Sequence, residues 1–186
     1  MNPDDGVKIG LLSSFTSYGF ERNPFTSQVT IASSYYFATN GFDVSINSEF
    51  ANVINNWNLG LKAAFTSPNY SVNFFGFGND TSNPNYINEN IYDEDFNRVK
   101  IRKTSFSPYL IWRGELGANF KSGLNYEVND VENIATRFIA STPFANKYSF
   151  WGTEAHYNFE NSDNKAFPNL GMKADLTVGH KSNIDT

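Results

Sequence analysis

The chain contains no cysteine. That excludes a disulfide framework and any thiolate metal site. It also has no run of 18 apolar residues, and its mean hydropathy is −0.44, so no transmembrane helix is expected. Basic residues are in deficit, 14 Lys and Arg against 19 Asp and Glu, and a net charge of −5 argues against a general nucleic-acid binder. There are two histidines, His156 and His180, on separate expected strands, too few and too far apart for a usual metal site. No Gly-x-Ser-x-Gly elbow and no phosphate-cradling glycine loop is present, and Gly76 and Gly78 fall inside an expected strand. The chain is therefore not expected to be an enzyme or to hold a cofactor. Met1-Asn2-Pro3-Asp4-Asp5-Gly6 shows neither a basic nor an apolar leader region, so the sequence reads as a mature form or a piece of a longer chain.

What the chain does have is aromatic residues: 18 Phe, 10 Tyr and 3 Trp, 17% of the total. Many aromatics without net hydrophobicity fit a β-barrel in which one lipid face is diluted by a polar lumen. The patterning agrees. Phe42, Val44, Ile46, Ser48 and Phe50 alternate with Asp43, Ser45, Asn47 and Glu49. After a break, Trp57, Leu59, Leu61, Ala63 and Phe65 alternate with Asn58, Gly60, Lys62, Ala64 and Thr66. Strand side chains alternate faces, so each run has one apolar and one polar wall, and a tilted strand needs roughly 9–11 residues to cross a bilayer.

The same reading along the chain gives an all-β, antiparallel up-and-down meander of about nine long strands, part of a transmembrane β-barrel forming a single partial domain over 1–186. The strands are expected near 7–19, 27–38, 42–51, 57–66, 70–78, 97–112, 116–128, 148–159 and 170–180. Asn40-Gly41 is a hairpin signal. Ser67-Pro68-Asn69 reads as a turn, and a parity change near Ser105-Phe106 reads as a bulge or bend. The turns at Asn40-Gly41, Ser67-Asn69, Arg113-Glu115 and Asn161–Asn169 fall at one end. Those at Phe20–Thr26, Ile54–Asn56, Asn79–Phe96 and Asn129–Lys147 fall at the other, and two of these are long. Sorting of loops by end is an outer-membrane trait.

Several residues stand out within that frame. Arg98, Lys100, Arg102, Lys62 and Lys121 are expected on the lumen face. They either hold an inserted loop or favour anions, or they are balanced by Asp43, Glu49 and Glu127, the reading preferred here. Trp57, Trp112 and Trp151 near strand ends suit an interfacial belt, whereas a soluble fold would put them in its core. Asp93-Glu94-Asp95 with Asp80 and Glu89 has no calcium-loop spacing and reads as a solvated acidic loop. Asp163, Pro168 and Gly171 read as a structural turn: a side-chain cap, a fixed φ and a close approach.

Two stretches carry a family resemblance. Asp163-Asn164-Lys165-Ala166-Phe167-Pro168-Asn169-Leu170-Gly171 resembles the Asp…Pro…Gly turn of the bacterial surface antigen family, which comprises BamA-like, TamA-like and two-partner-secretion barrels. Asn73-Phe74-Phe75-Gly76-Phe77-Gly78-Asn79-Asp80-Thr81, with Asn97-Arg98-Val99 beyond it, resembles a branch whose barrel often follows a calcineurin-like metallophosphoesterase domain. The resemblance extends over essentially all 186 residues. It implies a barrel of about sixteen strands in the bacterial outer membrane, of which this chain would be the N-terminal half. It also implies a role in protein insertion or translocation, or in anchoring an upstream phosphoesterase. Implied partners are outer-membrane lipid, the remaining half of the barrel and protein substrates. The sequence departs from the family in lacking the Val-Arg-Gly-aromatic loop motif and a C-terminal aromatic. A soluble β-sandwich or small barrel that binds a ligand or carbohydrate is the alternative.

Overall fold

A computed structural model describes residues 6–20, 25–78, 86–88, 91–93, 95–114, 117–164, 166 and 169–185. Eight strands form one antiparallel sheet in which each pairs with its neighbour in sequence: β1 Lys8–Ser17, β2 Ser27–Tyr36, β3 Gly41–Ile54, β4 Trp57–Asn73, β7 Arg98–Arg113, β8 Ala118–Val131, β9 Lys147–Ser162 and β10 Gly171–Asn183. Two short strands, β5 Tyr86–Asn88 and β6 Ile91–Tyr92, make a hairpin of their own between β4 and β7. The up-and-down meander expected from alternation is what the chain forms. Asn40, at a left-handed φ of 53°, closes the turn between β2 and β3.

Two local expectations are corrected. The residues expected to form a fourth and a fifth strand belong to one strand, β4, and Ser67-Pro68-Asn69 is a bulge, not a reversal. Register against β7 shifts between Thr66 and Tyr70. Pro68 has no N–H to give a neighbour, but the Ser67 hydroxyl accepts the Phe42 backbone N–H at 2.9 Å and keeps β3 attached across the irregularity. Nor is there a bulge at Ser105-Phe106: β7 and β8 keep one register from Ile101↔Val131 to Arg113↔Asn119.

Merging two expected strands alters which connections share an end. The connections from β2 to β3, β4 to β7 and β8 to β9 start and finish at one end of the sheet, and those from β1 to β2, β3 to β4, β7 to β8 and β9 to β10 at the other. The two long connections still fall together.

Register divides the sheet into two faces. One carries Ile9, Leu11 and Phe15, then Ile31 and Tyr35, Phe42, Val44 and Ile46, and Leu59, Leu61 and Phe65. It continues through Phe106, Leu110 and Trp112, Phe120, Leu124 and Tyr126, Trp151 and Tyr157, and Leu176 and Val178. From β1 to β10 its central rows hold no Asp, Glu, Lys or Arg. The opposite face carries Lys8, Asp43, Glu49, Lys62, Lys121, Glu127, Glu154, Asp175 and Lys181.

The apolar face is uncovered. Leu11 is 68% exposed, Leu124 57% and Leu176 61%. Among the described residues no large side chain is fully buried. Among the described residues a small apolar cluster lies at the long-loop end. There Val99, Ile139 and Ala145 are buried against Phe74, Ile101 and Val131. The 3-10 helix Phe138–Ser141 contributes Phe138, which stacks on Phe74 at 6.0 Å. Asp95 joins the two long connections, bonding Arg98 at 2.8 Å and Arg137 at 3.1 Å.

Candidate functional site

The polar face is built around glycine. Following register across the sheet, one row reads Glu49, Gly60, Tyr109, Gly123, Glu154, Gly179. Large and absent side chains alternate over six strands, a device that lets crowded interior positions of barrels fit together. The gaps are used. A Cβ on Gly60 would stand 2.1 Å from the Tyr109 ring, and one on Gly123 would stand 2.8 Å from the Tyr109 Cβ.

Side chains also reach past a neighbouring strand to the next but one. Tyr109 donates to Asn47 Oδ1 at 3.0 Å, and Lys8 pairs with Asp43 at 3.5 Å. Arg113 makes a two-pronged contact with Glu49, its Nη2 at 3.1 Å from Oε2, and Asn58 adds a bond to Glu49 at 2.6 Å. Lys181 reaches Glu127 at 3.0 Å over Gly152. Strands two apart are separated by about 9.5 Å, so these bonds tie the sheet together laterally. His156 belongs to the same face, its Nε2 2.9 Å from Asp175, while Asn158 donates to that carboxylate at 3.1 Å.

Lys62 and Lys121 occupy the rows flanking the glycine row, with their ammonium groups 5.9 Å and 4.2 Å from the Tyr109 ring centroid. With Ser107, Asn125 and Glu154 they line an open hollow. A ring face attracts cations electrostatically, and Glu154 supplies a carboxylate to the same hollow. No group of three or more His, Asp or Glu is close enough to hold a metal among the described residues.

Arg98, Lys100 and Arg102 are not part of this cluster. Because β7 runs without a bulge, they share the parity of Phe106, Leu110 and Trp112, on the apolar side of the sheet. The five basic residues expected on one face are therefore divided between the two sides of the sheet, Lys62 and Lys121 on one and Arg98, Lys100 and Arg102 on the other. The reason is an inversion of polarity along the strands. In the middle of β7 the apolar side carries Phe106 and Leu110. Beyond Thr104 that side carries Arg102 and Lys100, while Ile101 and Val99 turn to the other side under the 132–146 connection. Local sequence cannot distinguish a bulge from such an exchange of environments, since both shift the apolar parity by one.

The charged rim extends across strands. Arg102, Asp130 and Lys147 are register neighbours on β7, β8 and β9, and Arg102 lies 3.5 Å from Asp130. Backbone pairing of Glu132 N with Lys100 O at 2.9 Å sets a further pair one step outward.

The tryptophans fall on the apolar face at both ends. Trp57 and Trp112 are direct partners, and Trp57 meets Phe120 edge-on at 6.1 Å. Trp151 sits toward the opposite end beside Tyr126 and Phe106. Strand by strand the aromatic pairs are Phe42 and Phe50, Phe65 and Trp57, Phe106 and Trp112, Tyr126 and Phe120, and Trp151 and Tyr157. Six to eight residues separate each pair, about 20–27 Å along a strand.

At the connection between β9 and β10, Asp163 Oδ1 accepts the backbone N–H groups of Asn164, Asn169 and Leu170 at 2.9, 3.0 and 3.2 Å. These bonds favour its ionised form and hold its carboxyl below the usual carboxylate range. Gly171 has a φ of 153°, and a Cβ there would lie 2.4 Å from Asn161 O. Pro168, and Asp80, Glu89 and Glu94 of the acidic loop, lie outside the described residues.

The sequence alone did not mark Tyr109, Arg113 and Glu154 as a unit. Their signal is the glycine row, which exists only once register is known. Compared with known proteins, the chain matches no family model, no curated protein and no solved structure.

Proposed function

We propose that this chain is a membrane-embedded segment of a bacterial outer-membrane β-barrel, with the apolar face against lipid and the glycine-row face turned to the lumen. One observation carries this reading. Eight strands present a face of mostly apolar, largely exposed side chains whose central rows hold no Asp, Glu, Lys or Arg, with His180 and a few Ser and Thr as its polar members, rimmed by aromatics at both ends and by charges beyond one of them. In water such a face would be an aggregation surface, since soluble monomers rarely expose contiguous apolar patches larger than about a few hundred Å². In hydrocarbon it is the favourable one. The edge strands β1 and β10 each have one neighbour in the sheet. In this reading further strands of the same barrel pair with them, since an open edge is not tolerated in a bilayer.

The role follows the resemblance to BamA-like barrels, either insertion or translocation of proteins or anchoring of an upstream phosphoesterase domain. Sequencing the gene on both sides of this segment separates the two, because a phosphoesterase domain upstream supports the anchor and transport-associated repeats support the insertase. The barrel reading is tested by folding the chain in plain buffer and in phosphatidylcholine vesicles, followed by circular dichroism. Strand signal with a blue-shifted tryptophan emission is expected only with vesicles or detergent. A folded monomer in plain buffer would overturn the reading and favour a soluble β-sandwich.

A further inference from the structure

We infer that the charged rim at the long-loop end binds the phosphate of an anionic lipid head group. This rests on the membrane reading above and adds to it a partner and a site. Arg102, Asp130 and Lys147 form one register row on the apolar side, with Lys100 and Glu132 a step further out. Toward the middle of the sheet the next row is Thr104, Val128 and Ser149, and the one after it is Phe106, Tyr126 and Trp151. A ligand on this side therefore meets apolar surface, then an aromatic belt, then cations about 13 Å further along the strands. A phospholipid has that order of chemistry along its length.

The local detail agrees. An open hollow is lined by Pro68 of the β4 bulge, Arg102, Asp130, Glu132, Asn146 and Lys147. The carboxylate of Asp130 lies 3.5 Å from one guanidinium nitrogen of Arg102, both side chains being about half exposed. A guanidinium has five donors, so that one contact leaves most of them for a second anion. Lys147 approaches from the other flank and is exposed. The three cations outnumber the two carboxylates, and long Lys and Arg side chains can bend back toward the head-group level. The opposite end of this face has no equivalent among the described residues. The site thus distinguishes one leaflet from the other.

The test compares binding of the full chain to vesicles of phosphatidylcholine alone and of phosphatidylcholine with phosphatidylglycerol. Anionic lipid should tighten binding at low salt, and the gain should fall about five-fold for each cation removed. Lys100→Gln, Arg102→Gln and Lys147→Gln together should abolish the gain and leave binding to phosphatidylcholine intact. Lys62→Gln with Lys121→Gln, on the polar face, should preserve it. Retention of the gain in the triple variant, or its loss in the polar-face pair, overturns the inference. So does its full displacement by inorganic phosphate at low concentration, which would mark a site for a free anion. Failure to bind either vesicle overturns the membrane reading and this inference with it, whereas binding that ignores lipid charge overturns this inference alone.

Discussion

Tyr109 on β7 lies over Gly60 on β4 and donates its hydroxyl hydrogen to Asn47 on β3, 3.0 Å away. The bond passes above a strand that contributes no side chain at that point. Three strands are thereby fixed by one residue whose partner is 62 positions away in sequence. Replacing Gly60 by Ala should push the ring aside and cost about 1–3 kcal/mol, the usual range for an inserted methyl in a filled site. Urea unfolding in detergent micelles measures it. In a Tyr109→Ala background most of the penalty should vanish, and an equal cost in both backgrounds would show that the ring is not the obstacle.

Glu49 and Arg113 make the second lateral tie. The Glu49 side chain is only 14% exposed, so removing its partner strands a poorly hydrated carboxylate. A double-mutant cycle of Arg113→Ala and Glu49→Gln should give a coupling of about 1–3 kcal/mol. A value near zero would mean the contact is an ordinary surface pair.

The Asp163 turn should respond to acid. Its carboxyl is held low by the backbone N–H groups of Leu170, Asn169 and Asn164. A depressed value means the contribution is complete above the ordinary aspartate value of about 3.9 and is lost as pH falls through the folded value. Amide protection at the start of β10 should therefore decline in strong acid. In Asp163→Ala it should be low at every pH, and in Asp163→Asn, which keeps the acceptor oxygen, it should be nearly independent of pH.

Trp57, Trp112 and Trp151 should all report an interfacial depth. In single-tryptophan variants bound to vesicles, lipids brominated near the glycerol should quench each emission more than lipids brominated deep in the chain. Equal quenching at all depths, or none, would count against two aromatic belts on the lipid side.

Asp95 gives a test of the covered end. It bridges Arg98 and Arg137, and so ties the connection before β7 to the one after β8. Asp95→Ala should raise amide exchange of Val99, Ile101 and Val131 while leaving the middle of the sheet unchanged. Uniform loss of protection would show that the two regions unfold as one.

The strands, their antiparallel order and their two faces were legible in the sequence because alternation is local: each residue's side is set by its neighbours one and two positions away. The apolar side of β3, from Phe42 to Phe50, can be read by counting in twos. So can the ends, since Asn40 accepts a positive φ and Gly171 a strained one.

What counting could not reveal was anything that depends on register between strands. Ser67-Pro68-Asn69 looked like a reversal because proline and serine favour turns. It became a bulge because β7 offers a continuous partner on both sides of it. The three basic residues at the start of β7 alternate with Val99 and Ile101, and alternation by itself makes those two the apolar side. The tertiary structure placed a loop over those two and left Lys100 and Arg102 facing the other way. The alternation of the aromatic and aliphatic residues was fixed by the sequence itself. The glycine row beneath Tyr109 and the charged rim from Arg102 to Lys147 were decided only when eight strands met in register, because each is assembled from residues that no local interaction brings together.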